Sequence, residues 1–89
     1  MAAPALEEIQ HDTLAMSVAG ALALANETAT TRGINLPSSI VTITEESPPP
    51  ERQWRIHYGP RDYANQRGGD LIVIVHEQSG SVSRIIRGQ

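Results

Sequence analysis

The chain has 89 residues, ten carboxylates, seven arginines, no lysine and no cysteine, with a formal net charge of -3. This length allows one domain, residues 1–89, with a modest core, and the lack of cysteine excludes disulfides and thiolate metal sites, which favours a cytoplasmic location. Nucleic-acid-binding proteins usually combine a basic surplus with stacking aromatic rings. Because this chain has neither, we expect no nucleic-acid partner.

The first third of the chain has the pattern of a helix. Pro4 suits a first helical turn, and Gly33 is placed to end the helix. One helix could run from about residue 4 to residue 31, or Asp12 could cap a separate main helix; the pattern leaves both open. The apolar stripe that we predict to face a sheet comprises Leu14, Val18, Ala21, Leu22, Ala25 and Ala29.

An apolar run at residues 14–25 has to be distinguished from a secretory or membrane segment. Glu7, Glu8 and Asp12 precede this run and no arginine does, whereas a signal peptide begins with positive charge. A membrane-spanning helix needs about 20 apolar residues, and this run has 12. We therefore interpret it as a buried helix and expect no membrane partner.

The rest of the chain predicts four strands, at residues 39–44, 52–58, 71–76 and 82–87. In the second strand Trp54, Ile56 and Tyr58 alternate with polar residues, so this strand is half buried and Trp54 anchors the core. Loops are predicted at residues 45–51, which include three prolines, and at residues 59–69. A tight turn near Gly80 makes the last two strands antiparallel neighbours.

These elements predict an α+β domain in which an N-terminal helix packs on one face of a four-stranded antiparallel meander sheet. The third strand is apolar on both faces, and one helix covers only one of them. Ile72, Ile74 and either Val82 or Ile85 should therefore point away from the helix and form an association surface. The residues predicted to bind a partner protein, or a second copy of the chain, are Ile72, Ile74, Ile85, Arg55, His57, Arg61, Arg67 and Arg84.

Ionisable side chains offer an alternative function, that of a small metal-dependent or acid–base enzyme using His57, His76 and Asp62. The two histidines fall on strands that could be neighbours, where they would gather with Glu77 into a metal or acid–base site. A zinc site needs three or four ligands at a recognisable spacing, and no nucleophile accompanies Asp62. We expect no catalytic residues, no bound metal and no cofactor.

A set of short motifs resembles the small NTF2-fold immunity proteins over roughly residues 14–89. These motifs are an Ala-rich helix, Trp54-Arg55-Ile56 followed by Gly59, the pair Gly68-Gly69, the run from Leu71 to His76, Ser79-Gly80-x-Val82, and the terminal Arg87-Gly88-Gln89. The resemblance implies an inhibitor that binds a bacterial toxin, here through the open sheet face or the 59–69 loop. PepSY and cystatin-like domains have a similar helix-plus-meander plan, which makes a PepSY-like regulatory domain a further alternative.

Overall fold

A computed structural model describes residues 11–61 and 70–88 of the chain. Its elements are the helix α1 (Thr13–Thr31), a short 3-10 helix (Leu36–Ser38), and the strands β1 (Ser39–Ser47), β2 (Gln53–Pro60), β3 (Leu71–His76) and β4 (Ser81–Arg87). The strands form one antiparallel sheet in the order β1-β2-β3-β4, and α1 packs on one face of it. The predicted α+β arrangement is confirmed. Neither described segment contains a helix long and apolar enough to cross a membrane.

Both ends of α1 are set by local hydrogen bonds. Asp12 caps the first turn, since its Oδ1 accepts a hydrogen bond from the Ala15 amide at 3.0 Å. At the other end Gly33 has a φ of 89°, and the Ile34 amide donates back to the Ala29 carbonyl at 3.0 Å. Of the two alternatives that the sequence left open, the structure has the main helix capped by Asp12, and the predicted stop at Gly33 is confirmed; residues 4–10 lie outside the described segments.

The buried stripe of α1 is made of alanines. Ala21, Ala25 and Ala29 recur every four residues and are buried against the sheet, because side chains at this spacing lie on one side of a helix. Leu14 was predicted to belong to the same stripe, which is wrong, since 51% of it is exposed. Ser17 already contacts Trp54 near the start of β2, so a residue one turn earlier lies beyond the end of the sheet.

Two side-chain hydrogen bonds fix the helix along β2. The Trp54 Nε1 donates to Ser17 Oγ at 2.9 Å, and the Tyr58 hydroxyl donates to Asn26 Oδ1 at 2.7 Å. Nine helical residues rise about 13.5 Å, and four strand residues span about 13 Å. The two spacings match, so α1 runs parallel to β2 with both aromatic rings beneath it. The predicted role of Trp54 as a core anchor is confirmed.

The ionisation of Tyr58 predicts how stability depends on pH. Burial raises the pKa of Tyr58 from 10.0 to about 12, because the phenolate loses its hydration. The folded state therefore binds this proton more tightly than the unfolded chain. The stability that this difference contributes is complete below about pH 10 and is lost as the pH rises towards about 12.

We expect Tyr58→Phe to cost about 1 kcal/mol at neutral pH, since Asn26 loses its hydrogen-bond donor. The difference in the free energy of unfolding between the two proteins should narrow above about pH 10, because only the wild type has this phenol to ionise. Urea unfolding of both proteins at several pH values measures this difference. A difference that stays constant from neutral pH to about pH 11.5 would contradict this assignment.

A bulge in β4 decides which of its residues face the helix. Ile74 pairs with Arg84, but Val75 pairs with Val82, so Ser83 is an extra residue on β4. Val82 and Ile85 consequently both pack against the core beneath α1, although their spacing would place them on opposite faces of a regular strand. The prediction that one of them points away from the helix, and the placement of Ile85 on the outer face, are wrong.

Strand pairing also extends two of the predicted strands. β1 continues through Glu45 and Glu46 to Ser47, with an irregularity where Glu45 pairs with Trp54 and Ser47 with Gln53. β2 continues to Pro60, which lies opposite Ser39. Acidic residues and proline have low strand propensity, but here the neighbouring strand supplies hydrogen bonds that a sequence pattern does not show.

Candidate functional site

The sheet face opposite α1 is the candidate site, and we refer to it as the open face. Directly paired residues of antiparallel strands share a face, so the registers assign its members. Its side chains are those of Ile40, Thr42, Thr44, Ser47, Gln53, Arg55, His57, Ile72, Ile74, His76, Ser81, Arg84 and Ile86. The helix α1 packs against the opposite face of β2, β3 and β4, so the single helix that the structure describes leaves this face uncovered.

The central row of the open face places an isoleucine between two arginines. Arg55 pairs with Ile74 across β2 and β3, and Ile74 pairs with Arg84 across β3 and β4. Because strands lie about 4.8 Å apart, the two arginine Cα atoms are about 10 Å apart. Ile74 is only 4% exposed and is not part of the core cluster beneath α1. Arg55 and Arg84 flank it on the open face, and arginine stems can lie over apolar surface.

Neither arginine of this row has a carboxylate partner among the described residues. The ion pairs within residues 11–61 and 70–88 involve Arg52, His57 and His76. A guanidinium presents several N–H donors in a planar fork that matches a carboxylate. Arg55 and Arg84 thus offer two forks on either side of one apolar side chain.

The next row joins a histidine to a carboxylate. His57 pairs with Ile72, and its Nε2 lies 2.8 Å from Asp70 Oδ2. The Gly88 amide donates to the Asp70 carbonyl at 2.9 Å. A Cβ at position 88 would lie 2.8 Å from the Asp70 Cβ, so glycine is required there for Asp70 to approach His57 in this way.

The predicted gathering of His57, His76 and Glu77 is wrong. His76 pairs with Gln53, four residues along β2 from His57, a distance of about 13 Å. His76 Nε2 instead lies 3.3 Å from Glu51 Oε2, and Glu77 contacts Arg52. No group of three metal-ligating side chains occurs within the segments that the structure describes.

The structure brings five of the eight predicted binding residues together. Arg55, His57, Ile72, Ile74 and Arg84 share the open face. Of the others, Ile85 is on the helix side, Arg61 is exposed just after β2, and Arg67 lies outside the described residues, as does Asp62.

Among the residues that sequence reasoning did not assign to the site, two bear directly on its chemistry. Ile86 lies on the open face directly opposite Ile72, and Asp70 contacts His57. Asp70 stands two residues before Ile72, which is the spacing of residues on the same face of a strand. That spacing was a usable signal for Asp70. No such signal existed for Ile86, because the bulge in β4 determines which face of the sheet Ile86 lies on.

On the helix side, Arg52 links three parts of the sheet. Its guanidinium lies 5.4 Å from the centre of the Trp54 ring, and its Nη1 lies 3.6 Å from Glu77 Oε1. The Nε lies 2.6 Å from Glu45 Oε2 but makes no hydrogen bond, so this contact is an ion pair only. Arg52 is therefore occupied by contacts that stabilise the sheet. Arg55 and Arg84 differ from it, because neither has a carboxylate partner among the described residues.

An apolar groove of about 290 Å³ lies at the same end of the molecule. Met16, Gly20 and Leu24 form its helix wall, and Trp54 and Val75 form its floor. This volume is at the lower limit for a small-molecule site. Glu77 is the one ionisable residue among its described lining residues, so the groove offers no pair of converging charges.

Comparisons with protein-family models, with curated proteins and with solved structures found no match to this chain. The resemblance to NTF2-fold immunity proteins therefore stays a prediction.

Proposed function

We propose that the protein is a binding module that docks an acidic partner protein on its open face. The observation that carries the proposal is the row of Arg55, Ile74 and Arg84. An apolar centre flanked by arginines is a common composition of protein interfaces. Ile74 is itself only 4% exposed, so the row would contact a partner through its two guanidinium groups, and a partner with two carboxylates about 10 Å apart would complement it.

The charge distribution favours an acidic partner. The whole chain has a formal net charge of -3, yet the centre of the open face carries two arginines and one carboxylate, Asp70. That carboxylate is already engaged with His57. Exposed ion pairs contribute less than about 1 kcal/mol each, but they become stronger when an interface excludes water.

Apolar area on the open face supplies the other part of the binding free energy. Ile72 and Ile86 lie side by side and are partly buried, and Ile40 is 43% exposed near the same end of the face. Covering apolar surface contributes about 25 cal/mol per Å². The isoleucines would therefore supply affinity, while the arginines would select acidic partners and fix their orientation.

Charge reversal at the two arginines tests the proposal. The wild type is immobilised to capture proteins from the cells in which it is made naturally, and each captured protein is purified and its affinity measured by calorimetry. We expect Arg55→Glu/Arg84→Glu to lower the affinity for the genuine partner by at least about 30-fold, which corresponds to about 2 kcal/mol of binding free energy. The wild-type affinity should also fall with added salt.

The matched control is Arg32→Glu/Arg87→Glu, which changes the net charge equally. Arg32 follows α1, and Arg87 pairs with Leu71 on the helix side and donates to the Arg32 carbonyl. This variant should keep the affinity of the wild type within a few-fold. The proposal fails if both double variants weaken binding equally, or if neither does while both remain folded by circular dichroism.

The immunity-like inhibitor is the more specific form of this proposal, in which the acidic partner is a toxin. It rests on the resemblance of the motifs, and it requires that the captured partner lose a toxic activity when bound. The enzyme alternative has less support, because His57 and His76 lie at opposite ends of the open face.

A further inference from the structure

β1 is an edge strand with a free side among the described residues. It pairs with β2 along one side, and no other described strand lies along its other side. Ile40 and Val41 are 43% and 39% exposed and point to opposite faces of the sheet. Between residues 40 and 45 the strand therefore presents backbone groups that no other described strand pairs, together with apolar side chains above and below them. The Ser39 amide, by contrast, already donates to the Leu36 carbonyl.

The features that usually protect an edge strand stand only at the ends of β1. Natural edges are blocked by charges, prolines and bulges. Pro37 precedes β1, the irregularity lies near the end of the strand, after Glu45, and the three prolines follow the strand. The segment 39–45 between them is regular and carries one charge, at its last position. By contrast, the edge strand β4 has a bulge at its centre followed by Arg84.

We propose that β1 pairs antiparallel with β1 of a second copy of this chain, about a twofold axis at Thr42. Thr42 is the middle residue of the unprotected segment 39–45. The axis pairs Val41 with Ile43, Ile40 with Thr44 and Ser39 with Glu45 of the second copy. Every residue of the segment thereby gains an opposite neighbour. Because the Ser39 amide is bonded to the Leu36 carbonyl, the pair of Ser39 and Glu45 forms only the hydrogen bond from the Glu45 amide to the Ser39 carbonyl.

Charge and backbone chemistry select this arrangement. In a parallel pair, Glu45 and Glu46 would each lie beside the same residue of the second copy, and like charges repel. An antiparallel axis at Val41 would place Glu45 opposite Pro37, which has no N–H to donate. An axis at Ile43 would place Ile40 opposite Glu46 at the irregularity. The axis at Thr42 avoids all three conflicts.

The twofold pairing also covers apolar surface that α1 leaves exposed. Val41 and Ile43 lie on the helix side of the sheet, since they pair with Tyr58 and Ile56. Val41 is nevertheless 39% exposed, so α1 covers this edge incompletely. Two contacts between Val41 and Ile43 of different copies would remove part of that surface from water.

The dimer leaves the open face accessible. A twofold axis perpendicular to the sheet keeps both open faces on the same side, so the result is one continuous sheet of eight strands. Arg55 and Arg84 stay uncovered in both copies, because they lie on β2 and β4. The inference therefore stands independently of the acidic-partner proposal.

Oxidative cross-linking of single-cysteine variants tests the pairing, because the chain has no cysteine of its own. In Thr42→Cys the two residues at the axis have Cα atoms about 4.5–5.5 Å apart, within the range of a disulfide. Oxidised glutathione takes up two electrons and two protons from the thiols and becomes two reduced molecules. We expect a covalent dimer to form readily at micromolar protein concentration.

Thr44→Cys is the matched control, since Thr44 is equally an exposed threonine on the same face of β1. Across the proposed axis its two copies lie four residues out of register, about 13 Å apart, which is too far for a disulfide. It should cross-link at least about tenfold more slowly than Thr42→Cys. Equal rates for the two variants would overturn the proposed register.

Light scattering of the wild type and of Thr42→Lys provides the second measurement. The wild type should have twice the 9.6 kDa mass of one chain, whereas Thr42→Lys, which places two lysines at the axis, should be a monomer. A wild type that is monomeric at about 100 μM, a concentration at which a dimer with a micromolar Kd would form, overturns the proposal. Monomers whose β1 amides resist hydrogen exchange would show that another segment of the chain covers the edge.

Discussion

Replacing Trp54 with alanine should lower the free energy of unfolding by about 3–5 kcal/mol. The ring is buried beneath α1, its Nε1 donates to Ser17, and Arg52 lies over its face. The alanine variant loses these contacts and leaves a cavity. A domain of this size has a total stability of about 5–10 kcal/mol, so the variant should be close to unfolding at room temperature.

Trp54→Phe separates the contribution of the ring from that of the hydrogen bond. Phenylalanine keeps most of the aromatic surface but cannot donate to Ser17, so we expect a loss of about 1–2 kcal/mol. Urea unfolding followed by circular dichroism measures both variants. If alanine costs no more than phenylalanine, Trp54 is not the anchor of this core.

Replacing Ala25 with leucine is the second change with a large expected effect. Ala25 is completely buried between α1 and the sheet, midway between Ala21 and Ala29. A leucine there must push the helix away from β2 and β3 or adopt a strained rotamer, at a cost of about 1–3 kcal/mol. The intrinsic helix propensity of leucine is close to that of alanine, so the loss reports packing.

Ala23→Leu is the matched control, because Ala23 is exposed on the same helix. This variant should change stability by less than about 0.5 kcal/mol. Thermal unfolding of both proteins gives the comparison, and Ala25→Leu should lower Tm by about 4 °C or more. Equal midpoints for the two leucine variants would mean that the alanine stripe is not in close contact with the sheet.

The sequence pattern predicted the features that depend on local periodicity. Alternation around Trp54 identified its side of β2, and the continuous apolar run from Leu71 identified a strand that needs cover on both faces. Gly33 marked the end of the helix through its capping chemistry, and Asp12 was one of the two starts that the pattern left open. These signals depend only on residues close in the sequence, so they can be interpreted without knowing which strands are neighbours.

The side on which β4 residues lie could not be predicted. Alternation places residues 82 and 85 on opposite faces, and a single extra residue, Ser83, reverses that result. The Ser83 hydroxyl donates to the Ile74 carbonyl at 3.3 Å, a contact that exists only once β3 and β4 are aligned. The prediction for Ile85 was wrong for this reason, and Ile86, not Ile85, lies on the open face.

The composition of the open face depends on strand register in the same way. The meeting of His57 with Asp70, and the placement of Ile74 between Arg55 and Arg84, require the alignment of three strands. Register is determined by long-range pairing and by turn geometry. From the sequence one can count the arginines and the apolar positions, but not which of them become neighbours.

The accessibility of two adjacent residues on β3 tests most directly whether one face of the sheet is open. Ile72 lies on the open face, and Val73 is buried beneath α1. In separate single-cysteine variants, Cys at position 72 should react with a thiol reagent within about tenfold of its rate in the unfolded chain, and Cys at position 73 at least about 100-fold more slowly. Equal protection at both positions would contradict the account, because it would show that the face opposite α1 is covered.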